Sequence, residues 1–159
     1  GSIMNVTLKN REIDSGLALI KPFVQRELSV KVSFAIGKTL RRLKDIIEVI
    51  QEERKKLIEK HQATDNEGKR IETEEGNVKL TSTLDFADDY NELMKQETDV
   101  DVHQLKFEEL EKMKDKGGRK LQPTSEEMEG LLLLQMIVKE EKEEDEDDEE
   151  EKRVPEMTN

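Results

Sequence analysis

The sequence predicts an α+β fold: a long central helix packed with shorter helices and a small antiparallel sheet, followed by a disordered acidic C-terminal tail. Across residues 30–62 apolar side chains recur at alternating steps of four and three, which aligns them along one side of a helix. Two stretches around Val6 and Val100 alternate apolar and polar residues, as half-buried strands do. We therefore predict a single α+β domain over residues 1–138 and a tail over residues 139–159.

The central helix is predicted to begin after Ser29, a suitable N-cap, and to end near Ala63. Its apolar seam consists of Val32, Ile36, Leu40, Leu43, Ile46, Ile47, Ile50, Leu57 and Ile58. This seam is wider than that of a two-stranded coiled coil, so it favours packing within the domain and leaves self-association open. Gly37 lies in the helix interior, where glycine costs about 1 kcal/mol relative to alanine. We therefore expect a neighbouring element to approach closely there.

Shorter patterns predict the elements that flank this helix. Met4–Leu8 is predicted as a strand, and Asn10 as the N-cap of a following helix that Pro22 ends or kinks. Lys69–Thr73 and Val78–Ser82 are predicted as the two strands of a β-hairpin. We identify no internal repeat.

The second half of the chain begins with Ser82 and Asp85, which have the spacing of a capping box. The alternation of apolar residues shifts by one position between Val102 and Leu105, which predicts a strand with a bulge. Residues 114–120 are charged and contain a Gly-Gly pair, so they are predicted to form a mobile loop.

The last predicted helix runs from Thr124 to Val138, with Thr124 and Glu127 as a second capping box. Its C-terminal half is apolar on nearly every side, so one flat surface cannot cover it. We expect either full burial or a face left available to a partner. Leu132 and Met136 are our candidate protein-binding residues.

The charge of the chain is concentrated in its tail. The net charge is -12, from 27 basic and 39 acidic residues. Residues 139–159 hold four basic and twelve acidic residues, which leaves 23 and 27 for residues 1–138. A nearly balanced domain argues against a nucleic-acid mimic. The acidic run should be disordered, because its like charges repel and it has few apolar residues to bury.

Few residues suit catalysis or cofactor binding. The chain has no cysteine, which excludes disulfides and thiolate chemistry, and only 3% aromatic residues. His61 and His103 are the only histidines, and neither stands in a metal-ligand motif. The turn after the long helix has Ala63 where a calcium-binding loop needs its first carboxylate. We therefore predict no enzyme and no catalytic, cofactor-binding or metal-binding residues.

Nucleic acid and membranes are not the partners that the sequence favours. Lys38, Arg41, Arg42 and Lys44 form a basic patch on the long helix, which we interpret as solvated surface. No apolar run is long enough to span a bilayer, and the N-terminus shows no secretory signal. Gly1 and Ser2 are interpreted as a cloning remnant ahead of Met4.

The order of these segments resembles that of small proteins, mostly of uncharacterised function, from tailed bacteriophages and prophages of Gram-positive bacteria. The resemblance covers about Met4 to Val138. It rests on Leu28-Ser29-Val30-Lys31-Val32, Glu59-Lys60-His61, Asp65-Asn66-Glu67-Gly68-Lys69, Thr98-Asp99-Val100-Asp101-Val102 and Leu121-Gln122-Pro123, in that order. The acidic run from Lys139 departs from the pattern, so the resemblance implies no partner for it. The resemblance supplies no catalytic residues.

This resemblance implies a viral protein located in the bacterial host cytoplasm or the virion. We expect a non-enzymatic phage protein that binds another protein, such as a phage structural protein, in virion morphogenesis or as an assembly accessory. Two alternatives stay open: an acidic anti-defence inhibitor of a host nucleic-acid-binding protein, and a prefoldin-like chaperone.

Overall fold

The computed structural model describes residues 2–138 and confirms the α+β class. Its elements are, in order, β1 (Ser2–Lys9), α1 (Asn10–Val24), α2 (Val30–His61), α3 (Thr83–Lys95), β2 (Glu97–Gln104), α4 (Phe107–Glu111) and α5 (Ser125–Leu133). The predicted acidic tail lies outside the described residues. None of the helices within residues 2–138 is long and apolar enough to cross a membrane.

The two strands form an antiparallel pair with Val6 opposite Val100. Val6, Leu8, Val100 and Val102 are buried on one face, against the helices. On the other face Asn5 donates a hydrogen bond to the Asp101 carboxylate at 2.9 Å. Thr7 bonds Asp99 in the same way at 2.7 Å. The alternation seen in the sequence therefore separates a core face from a polar face.

The predicted bulge in the second strand is wrong. Pairing is continuous along β2 to Gln104, and Phe107 opens α4 instead of extending the strand. Leu105 changes partner: its N–H donates to the Met136 carbonyl at 2.9 Å, and its carbonyl accepts from Val138 at 2.8 Å. Gln104 and Leu105 are both buried because the chain leaves one pairing and enters another between them.

α2 has the predicted N-cap, since the Ser29 hydroxyl accepts a hydrogen bond from the Val32 N–H at 3.4 Å. The seam faces the core, with Val32, Ile36, Leu43 and Ile50 buried. The helix also covers the outer edge of β2. Thr39 Oγ1 accepts from the His103 N–H at 2.9 Å, and Arg42 donates to the Asp101 carbonyl at 3.3 Å. These bonds satisfy edge groups that would otherwise be free to pair with another strand.

The predicted capping role of Asn10 is wrong. Asn10 is the first residue of α1, and its buried side chain donates to the Leu93 carbonyl at 2.9 Å, joining α1 to the end of α3. The N-cap is Lys9, whose N–H donates to the Glu12 carboxylate at 2.8 Å. Pro22 lies inside the helix, which continues to Val24.

Helices α1 and α5 approach each other closely, and their contact involves two glycines. A Cβ atom on Gly16 would lie 2.6 Å from Leu134 Cγ, and one on Gly130 would lie 2.7 Å from Leu19 Cβ. Real Cβ atoms do not approach that closely, so only glycine allows this helix spacing. The close contact predicted at Gly37 is wrong, because nothing lies within 4 Å of the Cβ position there.

The segment between α2 and α3 contains a local repeat that the sequence analysis missed. Ala63, Ile71 and Lys79 are eight residues apart and form a ring of backbone hydrogen bonds. Ala63 donates to Lys79 at 2.8 Å, while Lys79 donates to Ile71 and Ile71 to Ala63, both at 2.9 Å. The predicted hairpin strands over Lys69–Thr73 and Val78–Ser82 are wrong, because these segments are joined only by isolated bridges such as that between Glu72 and Val78. The turns of this three-way arrangement contain Gly68 and Gly76 with positive φ.

Residues 114–120 form a hydrogen-bonded turn where we predicted a mobile loop. Asp115 Oδ1 accepts from Gly117 at 2.8 Å and Arg119 at 2.9 Å, and Gly118 has φ +82°. The turn at Asp65 has the same two side-chain bonds. In both turns the N–H of a glycine with positive φ donates to the aspartate carbonyl three residues earlier, at 3.0 Å. The charged residues and glycines that suggested mobility are the residues that this turn requires.

The two glycine environments predict opposite effects of alanine. Gly37→Ala should raise the free energy of unfolding by about 1 kcal/mol, because it improves helix propensity in open space. Gly130→Ala should lower it by about 1–3 kcal/mol through overpacking between α1 and α5. Urea denaturation of both variants measures this difference. Equal effects would contradict the helix spacing described above.

Candidate protein-binding surface

α5 begins at a complete capping box, as predicted. Thr124 Oγ1 accepts from the Glu127 N–H at 3.2 Å, and the Glu127 carboxylate accepts from the Thr124 N–H at 2.8 Å. Both halves of the box satisfy backbone donors that have no partner within the helix. The first turn of α5 is therefore held in place by its own sequence.

Glu127 also holds α5 against the chain that follows α1. The residue is 3% exposed, and both its carboxylate oxygens accept from Arg26 Nη2, at 2.7 and 2.5 Å. Arg26 in turn stacks over the Phe23 ring at 5.5 Å. A buried carboxylate without such a partner would be strongly destabilising. Sequence analysis found Glu127 only as a cap, because the pairing with Arg26 connects residues 101 positions apart.

α5 ends at Leu133, five residues earlier than predicted, in a Schellman motif. Met136 N–H donates to the Leu131 carbonyl at 2.9 Å, and Gln135 N–H donates to Leu132 at 3.0 Å. Gln135 occupies the left-handed position with φ 57°, where glycine is usual. Its carbonyl accepts from the Gln104 side chain at 3.0 Å, so the reversed chain is joined to β2.

This reversal separates the two candidate residues. Leu132 is 46% exposed on the outer side of α5. Met136 is 0% exposed, because the chain turns at Gln135 and directs it into the core with Leu131 and Leu134. The prediction that Met136 is available to a partner is therefore wrong, whereas Leu132 is accessible as required. Whether Leu132 binds a protein stays a prediction.

Leu132 lies in an open groove of about 710 Å³. The groove is lined by Glu12, Ser125, Met128, Glu129, Leu132, Leu133 and Gln135. Its apolar side chains come from successive turns of α5, because Met128 and Leu132 are four residues apart on one helix face. That spacing could have identified Met128 from sequence. The contribution of Glu12 could not be foreseen, since it depends on the packing of α1 against α5.

The lining of the groove combines apolar side chains with carboxylates. Glu12 at the start of α1 and Glu129 on α5 supply carboxylates, and no lysine or arginine lines it. Such a surface is complementary to an apolar side chain flanked by lysine or arginine. It has no combination of groups that resembles a nucleophile with an adjacent base.

His61 ties the end of α2 to α3. Its Nε2 lies 2.8 Å from Asp89 Oδ2, and its ring packs edge-on against Phe86 with centroids 5.8 Å apart. Lys60 also donates to Asp89 at 2.9 Å. These hydrogen bonds from His61 and Lys60 hold the pKa of the Asp89 carboxyl below its usual value.

His103 occupies a different part of the molecule. It packs edge-on against Phe34, with ring centroids 6.5 Å apart, near Lys38 and Arg42. Loss of water around the ring, then repulsion from Arg42 and Lys38, lowers the pKa of His103. His61 and Thr39, the α2 contact of His103, are 22 positions apart, or roughly 33 Å along the helix. The two histidines therefore share no site, and residues 2–138 contain no cluster of His, Asp and Glu that could hold a metal ion.

Comparison of the chain with models of known protein families, with curated proteins and with solved structures gives no match.

The position of Leu132 and Met136 predicts a sharp contrast between two glutamate variants. Met136→Glu should unfold the protein, because it places a charge in the core. Leu132→Glu should cost about 1 kcal/mol or less and keep the fold, because the side chain is half exposed. Circular dichroism during thermal unfolding distinguishes the two. A folded Met136→Glu variant would mean that the chain does not reverse at Gln135.

The depressed pKa of Asp89 predicts a pH-dependent contribution to stability. Its ionised form is favoured in the folded state, so the contribution is present above the unfolded pKa of about 3.9. It is lost as pH falls through the lower folded value. Asp89→Asn should therefore reduce stability at pH 7, and its difference from the parent protein should shrink below about pH 4. The control is Asp88→Asn on the exposed side of α3, which should change the free energy of unfolding by less than about 0.5 kcal/mol at pH 7 in urea denaturation.

Proposed function

We propose that this protein is a non-enzymatic binding module that holds a segment of another protein in the groove around Leu132. The observation that carries the proposal is a half-exposed leucine in a groove lined by both apolar side chains and carboxylates. Leaving an apolar side chain in water forgoes a stabilisation of up to about 1.5–3 kcal/mol. Leu132 is 46% exposed, so a partner that covers it recovers about half of this stabilisation.

The chemistry of the groove indicates the kind of segment it binds. An amphipathic helix could place an apolar side chain on Met128 and Leu132 and direct lysine or arginine to Glu12 and Glu129. The charge of the chain supports this choice, because a net charge of -12 attracts basic partners over a distance. The carboxylates of Glu12 and Glu129 would then mainly accelerate association, while the apolar contact supplies affinity.

The biological setting that we propose is phage virion morphogenesis, in which the protein acts as an assembly accessory for a structural protein. This setting rests on the resemblance of the segment order to small phage and prophage proteins. The firm helix anchoring around the groove supports a binding role, since Arg26, Glu127 and Gly130 fix α5 before any partner arrives. A surface fixed in advance loses little conformational entropy on binding.

The proposal is tested by comparing Leu132→Glu with Leu84→Glu as baits. Leu84 is 76% exposed at the start of α3, so its variant adds the same charge away from the groove. Capture of a virion protein from phage-infected or induced cells should be lost with Leu132→Glu and kept with Leu84→Glu. Equal capture by both variants would contradict a binding role for this groove.

The chemistry of the bound segment has a separate test. An apolar helical peptide flanked by lysines should bind the parent protein, and binding should weaken as salt rises. The same peptide with glutamates in place of the lysines should bind much less well. Binding is measured by fluorescence anisotropy. Equal binding of the two peptides would contradict the proposal that the groove selects a basic segment.

A further inference from the structure

Within the described residues, one outer edge of the two-stranded sheet is covered by a helix, and the other is not. α2 covers the outer edge of β2, where Thr39 and Arg42 bond its backbone. The outer edge of β1 has no such cover. Among residues 2–138 no hydrogen bond is made by the outward backbone groups of Ile3, Asn5 or Thr7, and Ile3 and Met4 are 56% and 45% exposed.

The orientation of these backbone groups follows from the register. When two residues face each other in an antiparallel pair, the N–H and C=O groups of both residues point either toward the partner strand or away from it. Asp101 and His103 direct theirs outward to α2, so their partners Asn5 and Ile3 direct theirs outward on the opposite side. Thr7 follows by alternation. The edge therefore presents three donors and three acceptors in a row.

The edge lacks the features that usually block strand addition. Residues 2–8 contain no charged residue and no proline, and their pairing with β2 has no bulge. Beyond them, the outward N–H of Lys9 is bonded by Glu12. The stretch whose outward backbone groups have no partner within residues 2–138 is therefore short and uncharged, and it ends before Lys9.

We propose that this edge binds the same edge of a second copy of the chain, with the two strands antiparallel and a two-fold axis at Asn5. In this register Asn5 faces Asn5 of the second copy, Ile3 faces Thr7, and Met4 faces Val6. All three outward N–H groups of each copy then find a carbonyl in the other. The result is a four-stranded antiparallel sheet with β1 strands at its centre.

The charge of the edge favours this occupant over a charged foreign strand. A basic or acidic segment would find no opposite charge along residues 2–8, whereas a second copy supplies a strand that is equally neutral. The carboxylates beside this edge already accept hydrogen bonds within the same copy: Asp101 from Asn5, Asp99 from Thr7 and Glu12 from the Lys9 N–H. Repulsion between two chains of charge -12 acts over a distance, so dimerisation should strengthen as salt rises. This inference concerns a surface separate from the Leu132 groove and does not rest on the proposed function.

Single cysteines test the register directly, because the chain has no cysteine of its own. Residues facing each other in a hydrogen-bonded pair have Cα atoms about 5.5 Å apart, within reach of a disulfide. Under mild oxidation Asn5→Cys should give a covalent dimer at least about tenfold faster than Ile3→Cys or Thr7→Cys, which face a different residue. Equal rates, or a faster reaction at position 3 or 7, would overturn the proposed pairing.

Light scattering tests the association without cross-linking. The parent protein should pass from monomer to dimer mass as its concentration rises. Asn5→Lys should weaken dimerisation by about tenfold or more, because two lysines then meet at the axis, while the thermal midpoint reports whether the fold is kept. Leu132→Glu should leave dimerisation unchanged. A parent protein that stays monomeric at every concentration, or a dimer that Leu132→Glu abolishes, would overturn the proposal.

Discussion

The contact between α1 and α5 at Gly16 and Gly130 is the constraint on which the rest of the structure depends. Because neither residue has a Cβ atom, the helices approach closely enough for Leu134 to pack directly over Gly16. That packing places the end of α5 where its chain can reverse and join Leu105. The Arg26–Glu127 pair fixes the other end of α5. The helix is thus held at both ends, and its remaining side forms the groove.

The close helix contact also accounts for the exposure of Leu132. A helix pressed this tightly against one neighbour directs one face into that neighbour and leaves the opposite face in solvent. Leu131 lies on the buried side and Leu132 on the exposed side, about 100° further round the helix. The exposed leucine therefore follows from the packing geometry, while its use by a partner is the proposal made above.

Backbone hydrogen bonding organises the remainder of the domain. The ring formed by Ala63, Ile71 and Lys79 closes a segment that has little core of its own, and Asp65 and Asp115 hold two similar turns. At the sheet, α2 bonds two backbone groups on the outer edge of β2, whereas the outer edge of β1 has no such cover in the described part of the chain. Backbone polar groups require hydrogen-bond partners. This requirement accounts for the hydrogen bonds within the turns, and it is the basis of the pairing that we propose for the edge of β1.

The sequence by itself determined the α+β class, the position of the long helix and the three N-caps at Ser29, Ser82 and Thr124. These features depend on residues a few positions apart, so local periodicity and capping chemistry suffice to predict them. It also identified Leu132 as a candidate, through the excess of apolar residues in the last helix.

Only the tertiary structure decided which apolar residues of that segment remain outside. Continued helical periodicity from Leu131 would have placed Met136 beside Leu132, but the chain reverses at Gln135, a residue that rarely occupies this conformation. The close contact at Gly130 and the pairing of Arg26 with Glu127 were equally invisible, because each joins residues about a hundred positions apart. Contacts over such separations arise from packing, and a local pattern carries no information about them.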